Sequence, residues 1–116
     1  MSGEECIFCK IVAGDIPAKK VYEDEEILAF EDVAPQAPVH ILVIPKKHIS
    51  SLLTLEPEDK KLAANFLYRI QKIAKQLGLD EAGFRVVNNI GEQGGQTVFH
   101  IHFHVLGGRN LGWPPG

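Results

Sequence analysis

Three of the five histidines in the chain fall in one run, Phe99-His100-Ile101-His102-Phe103-His104-Val105-Leu106-Gly107-Gly108. Imidazole and a bulky apolar residue alternate strictly, the period of a strand. Such a strand turns His100, His102 and His104 to one face and Phe99, Ile101, Phe103 and Val105 to a core. Alternate residues lie roughly 6.6 Å apart, so the outer two are separated by about 13 Å at Cα. Two neighbours could chelate one ion, but three could hardly converge on a tetrahedral one. A row of imidazoles also suits nucleophilic and proton chemistry near neutrality. Beside it, Gly94-Gly95 lets backbone N–H groups approach an anion closely, and Thr97 adds a hydroxyl. The cysteines stand as Cys6-Ile-Phe-Cys9, a spacing open to metal binding, redox chemistry or two buried free thiols.

The elements that must position these groups can be read in order. Cys6 to Ala13 predicts a short helix stopped by Gly14. Gly14-Asp15-Ile16-Pro17 is a turn, and Lys20 to Glu23 with Glu26 to Asp32 predicts a hairpin. Two prolines make Val33 to Pro38 irregular. Val39 to Ile44 is a strand carrying His40, followed by the basic tip Lys46-Lys47-His48. The clearest helix runs from Pro57 to Leu77, with Pro57 at its first position and acidic Glu58 and Asp59 at its positive end. Its stripe Leu62, Ala63, Phe66, Leu67, Ile70, Ile73, Ala74 and Leu77 is core or dimer surface. Gly83 to Asn89 is a fourth strand, and Trp113-Pro114-Pro115-Gly116 an extended tail. Five strands with one long helix before the fourth predict an α+β meander in a single domain over residues 1–116.

A formal charge of −3 argues against wrapping a nucleic acid polymer but leaves room for one nucleotide. No apolar run approaches the roughly 20 residues that span a bilayer. The leading Met1-Ser2-Gly3-Glu4-Glu5 lacks the basic and apolar regions of a signal peptide, so the cytoplasm is the expected location.

The run from His100 to Leu106 resembles the His-φ-His-φ-His-φ-φ signature of the histidine-triad (HIT) family of nucleotide hydrolases and transferases. Ile16-Pro17-Ala18-Lys19, Pro35 to His40, Ile44 to Ile49, Gly94-Gly95-Gln96 and the Trp113 tail resemble its Hint branch. The resemblance implies a HIT-like fold with five-stranded antiparallel sheets joined across a homodimer. It also implies hydrolysis of purine nucleoside 5′-phosphoramidates, with dinucleoside polyphosphate hydrolysis or nucleotidyl transfer as the alternative within the family. His102 would be the nucleophile and His104 the group contacting phosphate and assisting the leaving group. His40 would support the nucleophile from an adjacent strand. Asp32 would bind ribose and Val33 the base, with Asn89, Gly95 and Thr97 around the phosphate. Family members with an N-terminal Cys-x-x-Cys imply a structural zinc on Cys6, Cys9, His48 and His100; no organic cofactor is implied. A zinc hydrolase using His100 and His102 as ligands, and a nucleotide-binding module without turnover, are the rival readings.

Overall fold

The computed structural model describes residues 6–116; the Met1–Glu5 stretch lies outside the described residues. A short helix α1 (Ile7–Ala13) comes first among the described residues, its first turn capped by the Cys6 thiol, which accepts from the Cys9 N–H. Gly14, at φ 85°, closes it in the left-handed region that favours glycine. Strands β1 (Lys20–Glu23), β2 (Ile27–Glu31) and β3 (Val39–Pro45) follow, then helix α2 (Lys60–Gln76) and strands β4 (Arg85–Asn88) and β5 (Phe103–Gly107). The five strands form one antiparallel sheet in the order β1-β2-β3-β5-β4.

The expected meander therefore holds through β3 and stops there. After α2 the chain reaches the outer edge first, and β5 returns to fill the place between β3 and β4. The histidine run thus lies beside the strand that carries His40, pairing Leu42 with His104 and His40 with Leu106.

Both faces of the sheet are covered, which is why β2 and β3 read as nearly continuous apolar runs. On one face Ile27, Ala29, Ile41, Val43 and Val105 pack against Phe66, Ile70, Ile73 and Ala74 of α2. On the other, Leu28, Phe30, Leu42 and Ile44 pack against Cys6, Phe8 and Ile11 from the α1 segment. The start of the long helix is pinned to the end of β3 by Lys47, whose Nζ lies 2.6 Å from Asp59 Oδ1.

The histidine run is only half a strand. Its ladder begins at Phe103, and residues 99–102 follow an irregular path. The register explains why: continuing the pairing of Val43 with Phe103 would set residue 101 opposite Pro45, which has no N–H to give. Ile101 N–H instead donates to the Ile49 carbonyl at 2.6 Å. The helix expected from Pro57 begins as a tight 3₁₀ turn over Pro57–Asp59.

Candidate functional site

The bend before β5 turns His100 inward. It is fully buried, and its Nε2 lies 2.8 Å from the Pro45 carbonyl. A carbonyl only accepts, so Nε2 carries the proton and Nδ1 presents its lone pair. That lone pair faces Cys6 Sγ at 3.3 Å and Cys9 Sγ at 3.5 Å, while His48 Nδ1 lies 3.2 Å from Cys9 Sγ. All four donor atoms fall within 4.8 Å of one another. A tetrahedral site with metal–sulfur bonds of about 2.3 Å and metal–nitrogen bonds of about 2.0 Å has an S···N edge of about 3.5 Å, so the donor set fits a metal ion. By taking the Nε2 proton, the Pro45 carbonyl fixes the tautomer such a ligand needs. Burial and the neighbouring Cys6 thiol push Cys9 up to about 11, and burial pulls His100 down to about 4. A bound cation would reverse the balance at sulfur by stabilising the thiolate.

His102 and His104 leave this cluster and face a cleft of about 460 Å³, bordered by Phe8, Ile16, Phe30, Asp32, Val33 and Thr97 among others. His102 Nδ1–H donates to the His100 carbonyl at 2.8 Å, so its Nε2 keeps the lone pair. The ring is walled by Phe8, edge-on at 5.1 Å between centroids.

A second chain of bonds sets His104. The Gln36 backbone N–H donates to His40 Nδ1 at 3.0 Å, which leaves the proton of a neutral His40 on Nε2. Nε2–H donates to His104 Nδ1 at 2.8 Å. His104 therefore carries its own proton on Nε2. Burial, then the neighbouring His102 and His40, hold His104 down at about 4, so it is a neutral donor at pH 7. Asp32, His40 and His104 also gather their donor atoms within 4.8 Å. A metal there would need the His40 Nε2 lone pair, which the Gln36 N–H rules out. The two clusters differ in chemistry: one presents bare donors, the other a directed proton.

The likeness to known proteins runs along most of the chain. The model of the HIT domain matches residues 13–111. The chain belongs to the HIT domain family. It is 57% identical over 113 residues to a HIT-like protein of Synechococcus elongatus, covering 97% of this chain and 98% of that one. It is 49% identical over 114 residues to a Brassica juncea protein named "14 kDa zinc-binding protein", covering 97% and 100%. Among solved structures, a HIT family hydrolase from Legionella pneumophila superposes with TM-score 0.94 at 54% identity, covering 97% and 100% of the two chains. A histidine triad protein from Clostridium difficile gives 0.91 at 50%, covering 97% of each. The HIT domain here is thus hydrolase-like in fold.

Within this HIT domain the expected residues divide. Cys6, Cys9, His48 and His100 come together, and so do Asp32, His40 and His104. Asp32 Oδ1 also accepts from Ala34 N–H at 2.8 Å, making it a turn carboxylate on the cleft border. Val33 is fully exposed on the rim. Two expectations change. His40 reaches His104, not the expected nucleophile His102, whose tautomer is set by the His100 carbonyl. The Gly95 N–H is turned to the Glu92 carbonyl at 3.0 Å, so it is not the open anion donor expected. Thr97 borders the cleft, and Asn89 donates to the Gly94 carbonyl at 2.7 Å, tying the loop together. At Gly94 a Cβ would strike the Ile90 carbonyl oxygen, so no side chain fits.

Sequence reasoning missed Phe8, Gln36 and Pro45. Phe8 is an apolar residue of the first helix that packs into the core and also walls the His102 ring. Gln36 and Pro45 act through backbone atoms, which no residue-type pattern reports.

Proposed function

We propose that this HIT domain is a Hint-like hydrolase of purine nucleoside 5′-phosphoramidates acting through a nucleotidyl-His102 intermediate. The observation that carries the reading is the bond from His102 Nδ1–H to the His100 carbonyl, which aims a bare Nε2 at the cleft. Nε2 attacks the α-phosphorus and forms a P–N bond as the bond to the leaving amine breaks; the amine takes a proton from solvent as it departs, and the water that hydrolyses the intermediate gives one back. Water then cleaves the nucleotidyl-imidazole, returning neutral His102 and the nucleoside monophosphate. His104 Nε2–H donates to the phosphate oxygens and the leaving group, and His40 holds it so. Asp32 takes the ribose hydroxyls and Val33 the base edge, while Thr97 donates to phosphate from a loop shaped by Asn89 and Gly95.

Cys6, Cys9, His48 and His100 would hold zinc, the metal their soft thiolate and imidazole donors favour. The ion would supply a closed structural tie between α1 and the histidine segment. In the cytoplasm both thiols stay reduced and available to it. Homodimer formation is part of the proposal, supported by an apolar groove of about 370 Å³ beside α2 and by exposed Leu67 and Tyr68 on that helix. The Trp113 tail would then approach the partner's cleft.

The test is a rapid-quench single turnover with phosphorus-labelled adenosine 5′-phosphoramidate. The expected result is a base-stable, acid-labile adenylate on the native protein and none on His102→Ala. A native protein that binds the nucleotide but never carries label would overturn the mechanism.

A further inference from the structure

The groove beside α2 is lined by Pro45, Leu62, Phe66, Ile90, Ile101 and Phe103, yet one polar residue, Asn88, stands among its lining. Asn88 ends β4, opposite Phe103, and asparagine is a poor strand former. A polar side chain in such a place needs a specific partner. Its Nδ2 donates to the His102 carbonyl at 2.9 Å. Its Oδ1 is buried and has no partner among the described residues. Turning the amide over would set Oδ1 against the His102 oxygen, two acceptors facing each other, so the orientation is fixed by that carbonyl.

The position of His102 makes this bond matter. It precedes the first ladder residue, Phe103, so regular strand pairing does not hold its backbone. Two contacts replace the ladder: the His100 carbonyl takes the ring proton, and the Asn88 amide holds the residue's own carbonyl. Asn88 borders the groove, whereas the ring of His102 borders the cleft, so the side chain reaches His102 from the groove side.

We propose that Asn88 is a positioning residue for the nucleophile, holding the His102 backbone from behind so that the ring keeps one tautomer and one line of attack. The inference rests on the reading of His102 as nucleophile. Asn88→Leu keeps the side chain's size, suits the groove and removes the donor; Asn88→Gln restores a donor on a longer arm. In single turnover with adenosine 5′-phosphoramidate, Asn88→Leu should slow His102 adenylation by about 10- to 100-fold, the range expected when a reacting group shifts by about an ångström. Affinity for adenosine monophosphate should change less than about twofold, and Asn88→Gln should recover part of the rate. Nitrogen-15 spectra of the His102 ring provide a substrate-free readout. The native ring should show one Nδ1–H tautomer, and Asn88→Leu a mixture of the two. An unchanged ring spectrum in Asn88→Leu overturns the proposal whether or not the protein turns over. A rate loss matched by an equal loss of nucleotide affinity overturns it as well. If native protein takes no label, the mechanism has failed, while the ring spectra still decide whether Asn88 orders His102.

Discussion

Replacing His40 with leucine should slow the chemical step by one to two orders of magnitude and weaken nucleotide affinity by a smaller factor. The His40 Nε2–H is the donor to His104 Nδ1 at 2.8 Å, and it fixes the His104 proton on the nitrogen that faces the cleft. Leucine removes that donor and leaves a buried acceptor whose loss costs about 1–3 kcal/mol of stability. The freed ring can adopt the other tautomer, which offers the phosphate a lone pair where it had offered a proton. A hydrogen bond to a charged oxygen is worth about 1.5–3 kcal/mol, so its loss from the transition state slows reaction by about 10- to 150-fold. His40→Gln retains a side-chain N–H donor and should recover most of the rate. Quenched-flow adenylation, calorimetric binding of adenosine monophosphate and nitrogen-15 tautomer spectra of His104 measure the three quantities separately. Equal losses in the leucine and glutamine variants would refute the relay, and so would a slowed leucine variant whose His104 keeps its Nε2–H tautomer.

Zinc should bind one per chain, and Cys6→Ser/Cys9→Ser should abolish binding and lower Tm by on the order of 10 °C, since ligand at a thousandfold excess over Kd adds about 4 kcal/mol. Turnover should survive in that variant, measured below its melting range; complete loss of activity in a folded, metal-free protein would favour a metal-bound nucleophile instead. Because burial holds His104 at about 4, the unfolded chain takes up a proton below its ordinary 6.5 that the folded one refuses. Stability should therefore fall as pH drops from 6.5 to 4 and stay flat in this contribution above 6.5. Urea titrations of the native protein and His104→Gln should show the shallower decline in the variant. Gly94→Ala should displace the loop, because its Cβ would strike the Ile90 carbonyl. Adenosine monophosphate affinity should drop about tenfold or more, with far-ultraviolet circular dichroism unchanged; wild-type affinity would mean the loop does not shape the phosphate site.

Much of this was legible in residue types. The stripe on α2 announced its buried face through Phe66, Ile70, Ile73 and Ala74, and Gly14 marked the end of α1. The pairing of Cys6 and Cys9 with His48 and His100 followed from a family resemblance, and the geometry gathers those four side chains. Alternation correctly set Ile101 and Phe103 apart from His102 and His104, which line opposite clefts. It could not show that the strand starts only at Phe103, because the interruption comes from Pro45, more than fifty residues away in sequence, on the neighbouring strand. Nor could it divide the tasks of the histidines. His40 pairs with His104 because β5 slots in beside β3, a consequence of strand order that local patterns do not carry.

Three contacts that govern these histidines come from main-chain atoms: the Gln36 N–H on His40, the His100 carbonyl on His102 and the Pro45 carbonyl on His100. Alanine scanning is blind to all three, since alanine keeps the same peptide groups. At residue 36 only proline or a backbone ester deletes the donor. The segment from Asp32 to His40 should then tolerate many substitutions at Gln36 and few changes in length, because one inserted or deleted residue moves the amide that gives the His40–His104 pair its direction. Selection on such a loop acts on its path more than on its side chains.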